Sequence, residues 1–236
     1  MQTRRSKQPT IILNRIIERE GRESGPFFCL INIGMEIHSF KTYLDEQAEL
    51  GLTVFDLDET LFHTKAKIKV MHSSKVVHTL DNQQYNHYKL KAGESFDYGE
   101  FRSAEMFEKT STPVAKMIGK AKAIINNAFV RGSRVIISTA RADFDNKEIF
   151  LRALDAHGID TSKIHIERAG NLKLGSSAKN KKAIFRKYLR SGLYKRIRFF
   201  DDDTNNLTSF KSLQKEYPQI TFQAWHVGHD GSVTKY

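Results

Sequence analysis

The chain has almost no cysteine, no apolar run long enough to cross a bilayer, and one long stretch without a single acid. Cys29 is its only cysteine in 236 residues, so an internal disulfide framework is excluded and a reducing compartment fits. The longest apolar stretch, Phe27-Phe28-Cys29-Leu30-Ile31-Asn32-Ile33, falls far short of the roughly 20 residues a membrane helix needs, so no membrane partner is expected. Basic Arg4, Arg5 and Lys7 precede a short apolar run at Ile11 to Leu13. Charged Arg15, Glu18, Arg19 and Glu20 follow, the wrong order for a secretory signal. These features predict a cytoplasmic protein. No internal repeat and no low-complexity tract is present. Acids are absent from Arg168 to Phe200, where Lys173, Lys179, Lys181, Lys182, Arg186, Lys187, Arg190, Lys195, Arg196 and Arg198 all occur.

Hydrophobic residues make up 39% of the chain and are spread along it, enough to bury one substantial core with a small appended subdomain. The net charge of +11 is concentrated in the acid-free block. Such a block raises the local concentration of anions and favours phosphorylated or polyanionic partners, with nucleic-acid contact through residues 173–198 as one expectation. A solvated helix face is the competing reading.

Residues 1–50 read as an N-terminal extension. Its last part, Met35 to Glu46, has the i, i+3, i+4 spacing of a short amphipathic helix, and Met35 could itself be a start. The same segment resembles the targeting peptides that load proteins into the capsids of tailed bacteriophages, which end in a hydrophobic-x-Glu site, here Leu44-Asp45-Glu46. Packaging into a capsid is what that resemblance implies. An ordinary helix packing on the domain is the alternative.

From residue 51 to 236 the pattern alternates. Strands are predicted at Leu52 to Leu57, Arg134 to Ser138, Lys163 to Ile166, Ile197 to Phe200 and Thr221 to Val227. Helices are predicted at about Thr112 to Asn127, Asn146 to His157, Lys179 to Leu189 and Asn206 to Glu216. Strands separated by helices pair in parallel through right-handed crossovers, which predicts a doubly wound, mainly parallel α/β sheet. An insertion at about 64–107, directly after the first strand, interrupts the alternation. Short strands at Lys67 to Met71, Lys75 to Leu80 and His87 to Lys91, with turns at His72-Ser73-Ser74 and Asp81-Asn82, predict a small β-hairpin and helical cap. Phe96, Tyr98, Phe101 and Phe107 are either the core of that cap or a surface for stacking bases.

In such sheets the ligand sits beyond the carboxyl ends of the strands. Three segments put polar groups there. Asp56-Leu57-Asp58-Glu59-Thr60 offers two carboxylates at i and i+2, which can share one metal ion and one reacting centre. An acidic turn capping the next helix is the plainer reading. Val135-Ile136-Ile137-Ser138-Thr139-Ala140-Arg141 brings a hydroxyl to a strand mouth, where it can donate to a phosphoryl oxygen, and Arg141 adds a planar fork of donors. Phe199-Phe200-Asp201-Asp202-Asp203 follows an apolar strand with acids that repel one another unless a cation lies between them. Oxygen ligands without a His/Cys cluster favour Mg2+ over zinc.

In this order the segments resemble the haloacid dehalogenase-like (HAD) superfamily of phosphatases, including its bacteriophage-type members, over about Leu52 to Val227. The resemblance implies a Rossmann-like catalytic domain at 51–236 and an aspartyl-phosphate mechanism with Mg2+ as cofactor. Asp56 matches the nucleophile and a metal ligand. Asp58 matches the general acid/base, whose carbonyl also touches the metal. Thr60 matches the residue that shapes the turn, Thr139 the phosphate-binding hydroxyl, and Ser138 its alternative register. A lysine at the start of the helix before the last motif is expected to neutralise the nucleophile; Lys182 is chosen from the spacing of Phe185, Tyr188 and Leu189, with Lys181 as its neighbour. Asp201 matches the direct metal ligand and Asp202 the second acid. Asp203 and Asn206 are expected to cap the next helix.

An aspartate at position 58 can protonate an alcohol leaving group, which favours a phosphatase over other reactions of the superfamily. The string Asp-Leu-Asp-Glu-Thr-Leu-Phe-His resembles the signature of phosphatases that act on the phosphorylated tail of RNA polymerase. Thr-Ala-Arg and Asp-Asp-Asp look more like nucleotide or polynucleotide phosphatases. The expected substrate is therefore a phosphorylated small molecule, nucleotide or nucleic-acid end. A phosphoprotein phosphatase and a non-enzymatic nucleic-acid-binding or virion-internal protein are the alternatives.

Overall fold

A computed structural model describes residues 50–236 of the chain. The amphipathic helix and targeting segment expected between Met35 and Glu46 lie outside the described residues, as does most of the 1–50 extension.

The domain is α/β, built on a six-stranded sheet of which five strands are parallel. Its strands are β1 (Gly51–Phe55), β7 (Arg134–Thr139), β8 (His165–Arg168), β9 (Arg196–Asp201), β10 (Thr221–Val227) and the antiparallel edge strand β11 (Val233–Lys235). The order across the sheet is β11-β10-β9-β1-β7-β8. All five residues of β1 are buried, as a strand covered on both faces should be. Leu52 and Val54 point to one face and meet Ile184, Phe185, Leu207 and Phe210. These come from α6 (Ser177–Leu189) and α7 (Thr204–Lys211). Phe55, Val135, Ile137 and Phe200 point to the other face and meet Met117, Ile118 and Phe150. There the cover is α4 (Ala115–Val130) and α5 (Lys147–Ala156). A two-residue period in the strands thus separates two helical layers, the arrangement of a doubly wound Rossmann-like fold.

Register decides where the site forms. Phe55 pairs with Ile137 of β7 and Phe200 of β9, so Asp56 stands level with Ser138 and Asp201, and Thr139 ends β7 one residue beyond. The Asp56 N–H donates to the Phe200 carbonyl at 2.9 Å and prolongs the ladder to the first catalytic candidate.

Residues 64–111 lie between β2 (Phe62–His63) and β6 (Thr112–Pro113), a short antiparallel pair that closes the base of the insertion. Inside it, β3 (Ile68–His72) pairs with β4 (Lys75–Leu80) on one side and β5 (Glu94–Asp97) on the other. Ile68, Val70 and Leu80 make a small core against Tyr85, Tyr88, Phe96 and Phe101. The Ser73-Ser74 turn takes positive φ at both residues, as a tight hairpin of this hand requires. The strand expected at His87 to Lys91 does not form. Asp81 instead accepts from the Gln84 N–H at 2.8 Å while the Gln84 side chain accepts from the Asp81 N–H at 3.0 Å. This reciprocal cap starts α1 (Asn82–His87), and the third strand is deferred to Glu94.

Helix α2 (Gly99–Arg102) and α3 (Ala104–Thr110) return the chain to the domain, where Phe107 joins the main core. Phe96 and Phe101 are cap core, and Tyr98 is more exposed. The helix expected from Thr112 starts three residues later, because Thr112 and Pro113 pair with β2.

Candidate active site

Asp56, Thr139 and Asp201 stand at the carboxyl ends of three adjacent strands, and α6 supplies the cation between them. Lys181 Nζ donates to Asp56 Oδ1 at 2.6 Å and to Asp201 Oδ2 at 2.7 Å. All three side chains are almost wholly buried. Lys182, the expected catalytic lysine, points the other way: its Nζ donates to Ser212 Oγ at 2.7 Å and pairs with Glu216 at 3.3 Å. The cause is helical phase. The buried face of α6 holds Ile184, Phe185, Tyr188 and Leu189. Counted from Lys181 these are i+3, i+4, i+7 and i+8, whereas from Lys182 the stripe is out of step.

Asp201 is held from the opposite side. The Asn206 Nδ2 donates to both of its oxygens at 3.1 Å, and the Asp203 N–H donates to Oδ1 at 2.8 Å. Asp203 caps α7 as expected, accepting from the Asn205 N–H. Asn206, expected to cap, serves Asp201 instead. Its position in the first turn aims it back at the strand end.

Asp58 has a separate partner. Arg141 grips it in a fork, Nε to Oδ2 at 2.9 Å and Nη2 to Oδ1 at 2.6 Å. The same guanidinium donates to the Phe101 carbonyl at 2.9 Å and to Thr64 Oγ1 at 3.0 Å. It also lies 4.7 Å from the centre of the Phe101 ring and 5.2 Å from that of Phe107. Arg141, expected to bind substrate, is therefore spent on Asp58 and on the insertion. Thr139 Oγ1 donates to Asp58 Oδ2 at 3.4 Å and accepts from the Arg141 N–H at 3.1 Å, so this hydroxyl faces the site. Ser138 Oγ is buried without a hydrogen-bond partner. The Arg141 loop is packed against Gly170, whose N–H donates to the Arg141 carbonyl; a Cβ there would collide with the Ala140 carbonyl. Thr60 Oγ1 donates to Asp202 Oδ1 at 3.3 Å, tying the first acidic segment to the last.

The site is overloaded with negative charge. Four aspartates, at 56, 58, 201 and 202, face two cations, Lys181 and Arg141. Burial pushes the Asp56 carboxyl well above the ordinary range; Lys181 opposes this, while Asp201, Asp202 and Asp58 add to it. Burial, followed by the charge of Asp201, lifts Asp202 to about 7. Burial alone would discharge Lys181, but Asp201 and Asp56 outweigh it and raise its pKa. Carboxylate oxygens of Asp56, Asp201 and Asp202 lie within 4.8 Å of one another. A hard oxygen donor set with surplus charge could hold a metal ion.

The chain matches no protein-family model and no curated protein. The reading of this site therefore rests on its geometry.

The acid-free block divides in three dimensions. Lys181 enters the site. Arg186 makes a two-pronged pair with Glu216 at 2.8 Å, and Lys187 meets Glu167 at 2.7 Å. Acids distant in sequence thus neutralise part of it. Lys173, Lys179, Arg190, Lys195 and Arg196 have no ion-pair partner among the described residues.

Proposed function

We propose that this chain is a Mg2+-dependent phosphatase of the HAD-like type that hydrolyses a phosphate monoester through an aspartyl-phosphate on Asp56. The observation that carries the reading is the Lys181 bridge between Asp56 and Asp201 at adjacent strand ends, with Asp58 and Thr139 alongside. A binding module has no use for two carboxylates buried around one lysine, since the arrangement costs desolvation free energy that apolar side chains would not.

Asp56 Oδ1 is tied to Lys181, and among the described residues no donor reaches Oδ2. That oxygen attacks phosphorus. The phosphorus–oxygen bond to the leaving group breaks, and Asp58 delivers a proton to the departing oxygen. Asp58 then takes a proton from water, which attacks the aspartyl-phosphate, releases inorganic phosphate and restores Asp56. Lys181 offsets charge on the nucleophile and on the transferred group, and the Thr139 hydroxyl donates to a phosphoryl oxygen. Arg141 fixes the direction of Asp58. Asp56, Asp201, Asp202 and the Asp58 carbonyl would hold Mg2+, which when bound supplies the positive charge that lets a carboxylate approach a dianionic ester.

A nucleotide or nucleic-acid end is the favoured substrate, supported by the net charge of +11 and by the basic residues of the 173–198 block that keep no acidic partner among the described residues. The test is turnover of p-nitrophenyl phosphate with Mg2+, followed by a screen of nucleotides and of 3′- and 5′-phosphorylated oligonucleotides. Activity that depends on Mg2+ and disappears in Asp56→Asn is the expected outcome. Folded, metal-loaded protein that turns over no phosphate ester would overturn the reading.

A further inference from the structure

Beside the aspartate cluster lies a second group of metal-ligating side chains of different chemistry. Glu59 follows Asp58 in the turn after β1, His63 ends β2, and His229 sits in the loop between β10 and β11. One carboxylate oxygen and two imidazole nitrogens of these residues lie within 4.8 Å of one another. Their orientation is not left to chance. Glu59 Oε1 accepts from the Thr64 N–H at 3.1 Å and from Asn82 Nδ2 at 3.4 Å. This turns Oε2 toward both histidines, 2.8 Å from His63 Nδ1 and 3.9 Å from His229 Nδ1. The two rings are 4.2 Å apart between centroids. A hydrogen bond to Glu59 accounts for His63, but 3.9 Å is too long for one, so His229 converges on the same oxygen without a bond that explains it. Glu59 also takes φ of 57°, a left-handed backbone uncommon for a side chain of this kind.

We propose that Glu59, His63 and His229 form a binding site for one transition-metal dication of the Zn2+ class, distinct from the Asp56–Asp201–Asp202 cluster. Two imidazoles and one carboxylate suit zinc, cobalt or nickel and disfavour Mg2+, which the all-oxygen cluster suits. Ligands about 2.1 Å from a tetrahedral ion stand roughly 3.4 Å from one another, and the distances to Glu59 Oε2 straddle that value. The His229 side chain is 83% exposed, which provides an entry path and leaves a fourth position open to water or an anion. Thr64 and Asn82, which orient the carboxylate, belong to the insertion, while His229 belongs to the far end of the sheet. The ion would therefore link the insertion to the loop after β10, close to Asp58 and its neighbours.

The experiment titrates metal-free, full-length protein with CoCl2 and then ZnCl2, following the visible bands of tetrahedral Co2+ and the heat of binding. One tetrahedral Co2+ per chain, displaced by Zn2+, is expected in the unmodified protein, in addition to any ion that the carboxylate cluster takes without those bands. The same band is expected in Asp201→Asn and in Asp202→Asn, which disable the carboxylate cluster. His229→Ala changes an exposed residue and should weaken binding about tenfold or more while leaving circular dichroism unchanged. Zn2+ should raise the melting temperature of the unmodified protein and not that of His229→Ala. Absence of the band, equal affinity in His229→Ala, or loss of the band in both aspartate variants with retention in His229→Ala would each overturn the proposal. The phosphatase reading stands or falls separately, because these measurements need no turnover.

Discussion

Two aspartates leave the end of β1 two residues apart, and the regions they enter differ in kind. Asp56 belongs to the sheet: its cation is Lys181 from α6, its neighbour is Asp201 from the adjacent strand, and all are buried. Asp58 belongs to the join between sheet and insertion: its cation is Arg141, which also holds the Phe101 carbonyl and the Thr64 hydroxyl. The nucleophile candidate is therefore set by elements of the core, and the acid/base candidate by a guanidinium that the β7 end and the insertion share. The contrast teaches that a DxD pair at a strand end can divide its work, one carboxylate placed by the sheet and its helix and the other by a side chain that also contacts what covers the site.

The sharpest way to break this contrast is to remove each carboxylate in turn. Asp56→Asn should lower phosphatase turnover by about 10⁴-fold or more, and Asp58→Asn by about 10²- to 10⁴-fold, read as kcat on an alkyl phosphate with a poor leaving group. An aryl ester with a good leaving group should rescue Asp58→Asn and not Asp56→Asn. Next in size is the lysine comparison. Lys181→Met leaves two buried aspartates without their cation and should cost about 3 to 5 kcal/mol in chemical unfolding, with Mg2+ restoring part of it. Lys182→Met loses only a partly exposed pair and should change stability by about 0.5 kcal/mol or less.

A smaller effect probes the insertion. Arg141→Lys keeps the charge but loses the fork, so kcat should fall about tenfold as Asp58 loses its direction. The smallest is a pH effect. The folded protein holds a proton on Asp202 up to about pH 7, whereas the unfolded chain releases it near the ordinary value of 3.8. Between those values the folded state binds more protons, so metal-free protein should lose stability as pH rises, with Asp56 acting in the same direction. Melting curves from about pH 4 to pH 7 should show the decline, and Asp202→Asn or Mg2+ should flatten it.

Much of this site is legible in the sequence because strand ends in a parallel sheet converge. An apolar run followed by Asp56, another by Thr139 and a third by Asp201 can be read from residue order, and parallel pairing then brings them together. Lys181 is legible too, since Ile184, Phe185, Tyr188 and Leu189 follow it at i+3, i+4, i+7 and i+8. The cap at Asp81 and Gln84 is written as plainly, and it decides that the chain turns into a helix before its third short strand. Asn206 was less accessible, since an Asn in a first turn reads as a cap until its distance to Asp201 is known.

Residue order by itself determined the alternation of strands and helices, the polar groups at the strand ends and the insertion after β1, because hydrophobic period and motif spacing are local. Tertiary structure alone decided what Arg141 and part of the basic block meet. Arg141 reads as a phosphate ligand until the fold sets Phe101, Thr64 and Asp58 around it, and part of the basic block reads as free charge until Glu167 and Glu216 arrive from outside it. Ion pairing is a contact between side chains distant along the chain, and its free energy depends on burial and geometry that no local pattern contains.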